Sequence, residues 1–149
     1  MVKNHLKRLA APRTWKIQRK TTVFIKKPNP GPHPLPYSIP IGVALTELLH
    51  IAKNTKEVNV ILNDNQVFVD GIVRKDPRFP VGLFDVFEIK KTQQYFRVII
   101  NTNGFLDFLA IDPSESHIKP CKIIRKTMVN KKIQLNLYDG KNILTDNKN

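Results

Sequence analysis

The chain has 149 residues, enough for one ordinary domain or two small ones, and a hydrophobic content of 41% excludes disorder throughout its length. Lysine and arginine number 25 against 12 acids, a formal charge of +13, and a surplus of that size points to a polyanionic partner. The single cysteine, Cys121, excludes an intramolecular disulfide and fits a reducing compartment, and no apolar run approaches the roughly 18 residues of a membrane span.

Residues 1–37 read as a basic extended arm. No acid precedes Glu47, whereas Lys3, Lys7, Arg8, Arg13, Lys16, Arg19, Lys20, Lys26 and Lys27 all do. Pro12 ends a possible helical turn at 5–11, and six prolines from Pro28 to Pro40 fix a polyproline-like path. Trp15, Phe24 and Ile25 interleave with the charges, the pattern of a segment that lies along a nucleic acid. On this reading the arm is disordered in the free protein, with Trp15 exposed, and orders on RNA. The arm cations, Trp15 and His33 are its candidate RNA-binding residues.

The stretch 38–89 is expected to carry two short helices and a β unit. Ile41, Leu45, Leu48, Leu49 and Ala52 share one helical face, with Ser38 as the predicted N-cap. A second helix, predicted to be capped by Thr55, shows the stripe Val58, Ile61 and Leu62, with Glu57 near its positive end. Val67-Phe68-Val69, Asp70-Gly71 and Ile72-Val73 then read as strand, tight turn and strand, and Val86-Phe87-Glu88-Ile89 as a returning strand. Leu45, Leu48, Leu62 and Val69 are the expected core. Lys53, Lys56 and Asn59 on the second helix, with Arg74, Lys75 and Arg78 in the loop after the hairpin, are candidate phosphate contacts.

Beyond residue 91, the runs 95–100 and 105–111 flank the hairpin signal Asn103-Gly104. Further strands are expected over 122–129 and 132–137, where Ile133, Leu135 and Leu137 alternate with polar residues, and Asp139-Gly140 turns the chain toward Asn142-Ile143-Leu144. These strands predict one small antiparallel sheet, rolled toward a barrel to cover its apolar face. The run 116–138 is again free of acids, and its Lys122, Arg125 and Lys126 join the candidate RNA-binding set.

The catalytic and metal inventory is poor. His5, His33, His50 and His117 stand at no metal-ligand spacing, so no cofactor, metal or small-molecule substrate is expected. His50 is expected half-buried at the end of the first helix, and Cys121 in a strand as a small core residue. Gly104-Phe105-Leu106-Asp107 faintly resembles the glycine-arginine-leucine-aspartate motif of pseudouridine synthases, but the arginine is absent, and Asp107 reads as a hairpin residue. A fragment of such an enzyme, or a free-standing RNA chaperone, is the alternative class.

In order along the chain, Lys56-Glu57-Val58, Ile61-Leu62, Val67-Phe68-Val69-Asp70-Gly71, Pro80-Val81-Gly82 and Asp85-Val86 resemble the S-four RNA-binding domain. With His5-Leu6-Lys7-Arg8-Leu9-Ala10-Ala11-Pro12, Trp15, Lys27-Pro28, Pro30-Gly31-Pro32-His33 and Gln134-Leu135-Asn136-Leu137-Tyr138-Asp139-Gly140, the sequence is similar to the small-subunit ribosomal protein S-four-e family of archaea and eukaryotes. The resemblance implies an α+β protein with a basic arm (1–37), an S-four-type RNA-binding domain of two short helices and a β hairpin (38–91), and a small antiparallel β domain (92–149). It also implies a non-enzymatic, cytoplasmic, ribosomal protein whose partners are small-subunit ribosomal RNA and neighbouring ribosomal proteins. Two departures stand out: Thr46-Glu47 replaces the arginine-acid pair common on the first helix, and the sequence stops short of the rest of the β domain and its KOW-type module.

Overall fold

The computed structural model describes residues 4–130 and 132–145, so Lys3 and Lys131 lie outside the described residues. The chain divides into two compact units, Met1–Lys119 and Pro120–Asn149.

The first unit begins with a two-stranded ribbon in which β1 (Leu6–Lys7) pairs antiparallel with β2 (Phe24–Ile25). β3 (Ser38–Pro40) follows, then α1 (Ile41–Val43), continued by a wider π-type turn at Ala44–Leu48, and α2 (Thr55–Asn63). Next come β4 (Val67–Val69), β5 (Ile72–Val73), β6 (Pro80–Gly82), β7 (Val86–Ile89), β8 (Gln94–Ile100) and β9 (Leu106–Ile111). β3 and β6 form a buried pair, and the other strands form an antiparallel sheet ordered β5-β4-β7-β8-β9.

Asp70 and Gly71 take φ of 51° and 76°, the left-handed pair that a two-residue turn between β4 and β5 demands and that Asp-Gly tolerates. The turn and the returning strand β7 form as the sequence predicts. β8 does not open a separate sheet. A 3-10 turn at Lys90–Thr92 and a left-handed Gln93 reverse the chain so that Ile89 faces Gln94, and β8 continues on β7. The expected boundary at residues 91/92 therefore falls inside the five-stranded sheet.

One hydrophobic cluster joins the helices, the sheet and the arm: Leu45, Val58, Leu62, Val67 and Phe87 are fully buried in it, and so is Trp15. The expectation of a disordered arm with an exposed indole is thus corrected. Trp15 is 1% exposed, its Nε1 donates to the Ser38 carbonyl at 2.8 Å, and the Leu106 N–H bonds the Thr14 carbonyl at 2.7 Å. The ring's large apolar surface is satisfied within the protein, at the start of β9.

The first helical stretch is shorter than its pattern suggests. Ser38 lies in β3, so Pro40 takes the N-cap position, and the Leu49 N–H reaches five residues back to the Ala44 carbonyl. His50 at φ 52° then ends it, which leaves Leu48 half-buried and His50 exposed to solvent. α2 starts at its predicted cap residue, and the cap itself lies one residue earlier. Asn54, not Thr55, accepts the Glu57 N–H at 3.0 Å, and Glu57 reaches back to the Lys53 N–H at 2.7 Å. These reciprocal bonds satisfy two N–H groups at the helix start.

The second unit is a three-stranded antiparallel sheet of β10 (Ile123–Val129), β11 (Lys132–Leu137) and β12 (Asn142–Thr145), in that order. Directly opposed residues share a face, so Met128, Ile133, Leu135, Leu137 and Ile143 line one side. Leu137 is buried, whereas Met128 and Ile143 are exposed. Cys121 lies ahead of β10 and is exposed, not a core residue.

Candidate nucleic-acid interface

The structure divides the basic residues of the arm into two groups. Arg8 and Arg19 are turned inward. Arg8 is 7% exposed; its guanidinium donates to Thr22 Oγ1, the Gln18 carbonyl and Glu47 Oε1 at 3.0, 2.9 and 2.9 Å. Arg19 donates to the Ala11 and Pro12 carbonyls at 2.9 and 2.8 Å. The planar fork of arginine suits this closing of loop on loop, and it leaves neither group free for a ligand. Glu47, the acid of the Thr46-Glu47 departure, finds its arginine in the arm instead of on its own helix.

Lys7, Arg13, Lys16 and Lys20 form the second group, and all are exposed. Lys16 lies 3.8 Å from Asp107, whose Oδ1 accepts the Phe108 N–H, so Asp107 is a residue of β9 in an open, loosely paired setting. Lys26 and Lys27 are half-buried. The Lys26 Nζ is withdrawn from solvent without a hydrogen-bond acceptor, and burial, reinforced by the neighbouring Arg78 charge and opposed by Asp76, pushes its pKa below the usual lysine value.

The loop bearing Arg74, Lys75 and Arg78 is fastened to α1 and to the arm. The Ile41 and Gly42 N–H groups bond the Phe79 and Pro77 carbonyls at 3.0 and 2.9 Å, and the Asn29 N–H bonds the Arg78 carbonyl at 2.9 Å. Asp76 accepts from Asn29 Nδ2 at 2.7 Å and from the Arg78 N–H at 2.8 Å. Arg74 lies 4.1 Å over the Phe79 ring, a cation–π contact that holds the guanidinium flat and half-buried. Lys75 and Arg78 are exposed, and Arg78 borders a shallow cleft with Asn4, Lys27 and Asn29. Lys53, just ahead of α2, and Lys56 and Asn59 on it are exposed, as are Lys122, Arg125 and Lys126 in the second unit.

His33 belongs to a buried network that the sequence does not reveal. Its Nε2 is hydrogen-bonded to Asp85 Oδ1 at 2.9 Å, and Asp85 Oδ2 accepts the Gly82 N–H at 2.8 Å. Lys119 donates to both Asp85 and Asp70, at 2.5 and 2.6 Å, and Asp70 Oδ1 also accepts the Val86 N–H at 3.0 Å. Burial opposes the Lys119 charge, yet Asp85 and Asp70 outweigh it and hold the ammonium above the ordinary lysine range. A Cβ on Gly82 would stand 2.1 Å from the His33 ring, so this strand position needs glycine. His33 is therefore a packing residue, and only an isolated acid in an acid-poor chain hints at it.

Exposed cations on the arm, on α2 and in the loop after β5 of the first unit, and on β10 of the second, suit each unit to a polyanion. Known proteins are similar to this sequence. The family model described as ribosomal family S4e matches residues 92–149, and an RS4NT domain model matches residues 2–36. The small ribosomal subunit protein eS4 of Caldivirga maquilingensis is 46% identical over 143 residues, which cover 95% of this chain and 60% of that protein. The eS4 protein of Nanoarchaeum equitans is 47% identical over 148 residues, covering 98% and 63%. This chain thus spans about three fifths of the length of the curated relatives it matches. The crystal structure of the 30S ribosomal protein S4e from Thermoplasma acidophilum superposes with a TM-score of 0.57 at 28% identity, over 75% of this chain and 57% of that one. An α+β fold of short helices and antiparallel sheets, the two family matches and identity sustained along nearly the whole sequence agree: the chain belongs to ribosomal protein family S4e.

Proposed function

We infer that this chain is a non-enzymatic structural constituent of the small subunit of the cytoplasmic ribosome, where it binds ribosomal RNA beside neighbouring ribosomal proteins. The names of its relatives support this reading, and the observation that carries it is the distribution of charge. Lys7, Arg13, Lys16 and Lys20 project from an arm that is packed on its own core, and no acid precedes Glu47, which Arg8 neutralises. Cations carried on a packed backbone lose less chain entropy on meeting phosphates than those of a disordered arm.

Residues 38–91 act in this scheme as an S-four-type unit. Lys53 just ahead of α2, Lys56 and Asn59 on it, and Lys75 and Arg78 in the loop after β5 contact a shaped RNA junction, with Arg74 positioned by Phe79. Arm, S-four-type unit and β segment (92–149) supply three contacts, with Lys122, Arg125 and Lys126 in the last. Co-sedimentation with small ribosomal subunits after a high-salt wash tests the reading. A core constituent stays with the particle, whereas release into the top fractions at moderate salt would identify a transient factor instead.

A further inference from the structure

The ribbon at the start of the chain has an inner and an outer face. Leu6 opposes Ile25, which is 9% exposed and belongs to the core, while Lys7 opposes Phe24 on the other side. Phe24 is 54% exposed, and its ring centroid lies 5.6 Å from that of His5 at a tilt of 55°. His5 is itself exposed and shares the outer face with Lys7, two residues on. A shallow groove beside this pair is lined by Lys7, Lys20 and Val23, both lysines being exposed.

We propose that the His5–Phe24 pair is a stacking platform for an unpaired RNA base, with Lys7 and Lys20 receiving the flanking phosphates. The proposal rests on the RNA-binding reading above and names the arm's point of base contact. Three observations carry it. The fold gains little from an aromatic ring held outside the core, and Trp15, the arm's larger aromatic, is fully enclosed and cannot stack on a ligand. The residue stands directly opposite Lys7, on a segment whose nearest acid in sequence, Glu47, is already bound by Arg8. A flat apolar face set among ammonium groups matches a ligand with flat apolar bases on an anionic backbone.

The test measures binding of the full chain to a small-subunit ribosomal RNA transcript across a salt series. Phe24→Ala and Phe24→Leu should each weaken binding about 5- to 100-fold with the salt slope unchanged, because stacking involves no counterion release. Phe24→Tyr should restore it, and none of the three should move the thermal midpoint by more than a degree or two. Wild-type affinity in Phe24→Leu would mean that any apolar group serves, and would overturn the platform. Unchanged binding by Phe24→Ala, with weakened binding by a Lys7→Gln, Lys20→Gln double variant, would also overturn it while leaving the RNA-binding reading intact. Binding by wild type no tighter than to heparin would remove both. Loss of incorporation into subunits by Phe24→Ala, with naked-RNA binding intact, would assign this face to a protein neighbour and overturn the proposal.

Discussion

Lys119 extends its ammonium between Asp70 and Asp85, and all three side chains are largely withdrawn from water, at 14%, 14% and 3% exposure. Removing the cation leaves two buried carboxylates without it, so Lys119→Met should destabilise the first unit by about 3–5 kcal/mol. The pH dependence has a definite sign. Lys119 is shifted upward from the ordinary 10.5, so its contribution is full below that value and declines as pH climbs from there through the folded-state pKa. Thermal melts of the wild type and Lys119→Met from pH 7 to 12 should therefore differ by a constant gap up to about pH 10, and the gap should narrow above it. A gap that is already closing at pH 8 would mean that the ion pair is not what the substitution removes. The sequence shows Lys119 only as a member of an acid-free basic run and gives no sign of its carboxylate partners, which lie 34 and 49 residues away.

At the scale of elements, local signals were read where their chemistry is local. The Asp70-Gly71 turn and strands β4, β5 and β7 follow from residues that are neighbours in sequence, and the Val58 and Leu62 stripe of α2 is buried as its periodicity requires. The cap of α2 was legible only to within one residue, because Asn54 and Thr55 are both good capping types and side-chain geometry chooses between them. Asn54→Ala should cost about 1 kcal/mol in thermal unfolding, whereas Thr55→Ala should be nearly neutral. Equal losses for the two substitutions would contradict the cap. The first helical stretch was overextended for a different reason. Ile41, Leu45, Leu48, Leu49 and Ala52 all contact the core, but the last four do so from a widened turn and the chain beyond it.

Across the whole molecule, the arm is part of the fold, through Trp15 in the core and the pairing of β1 with β2. Trp15 emission should be that of an enclosed indole in the free protein and should move to longer wavelength only in denaturant. An exposed-type spectrum in native buffer would restore the picture of an arm that orders on binding. The salt dependence of RNA binding belongs to this scale too. Arg8 and Arg19 are consumed by internal bonds, so on the proposed RNA-binding reading the arm's phosphate contacts fall to its exposed cations. Changing Lys7, Lys16 and Lys20 together to glutamine should flatten the slope of log affinity against log salt by about 2–3 units. Changing Arg8 should instead lower the melting temperature.

The sequence by itself determined a charge surplus that no folding pattern can hide, on which the proposed polyanionic partner rests, and the short-range elements whose residues lie within a turn of one another. It also carried enough of the family pattern for membership to be expected from a single chain. Which cations are free, and which aromatic ring is buried, was decided only in three dimensions. Arg8 meets Glu47 39 residues on, His33 meets Asp85 52 residues on, and Trp15 meets the Ser38 carbonyl 23 residues on. Composition sees a basic residue or an aromatic one. Only packing brings the distant carboxylate or carbonyl that neutralises the one and the core that encloses the other, leaving Lys7, Lys20 and Phe24 facing water.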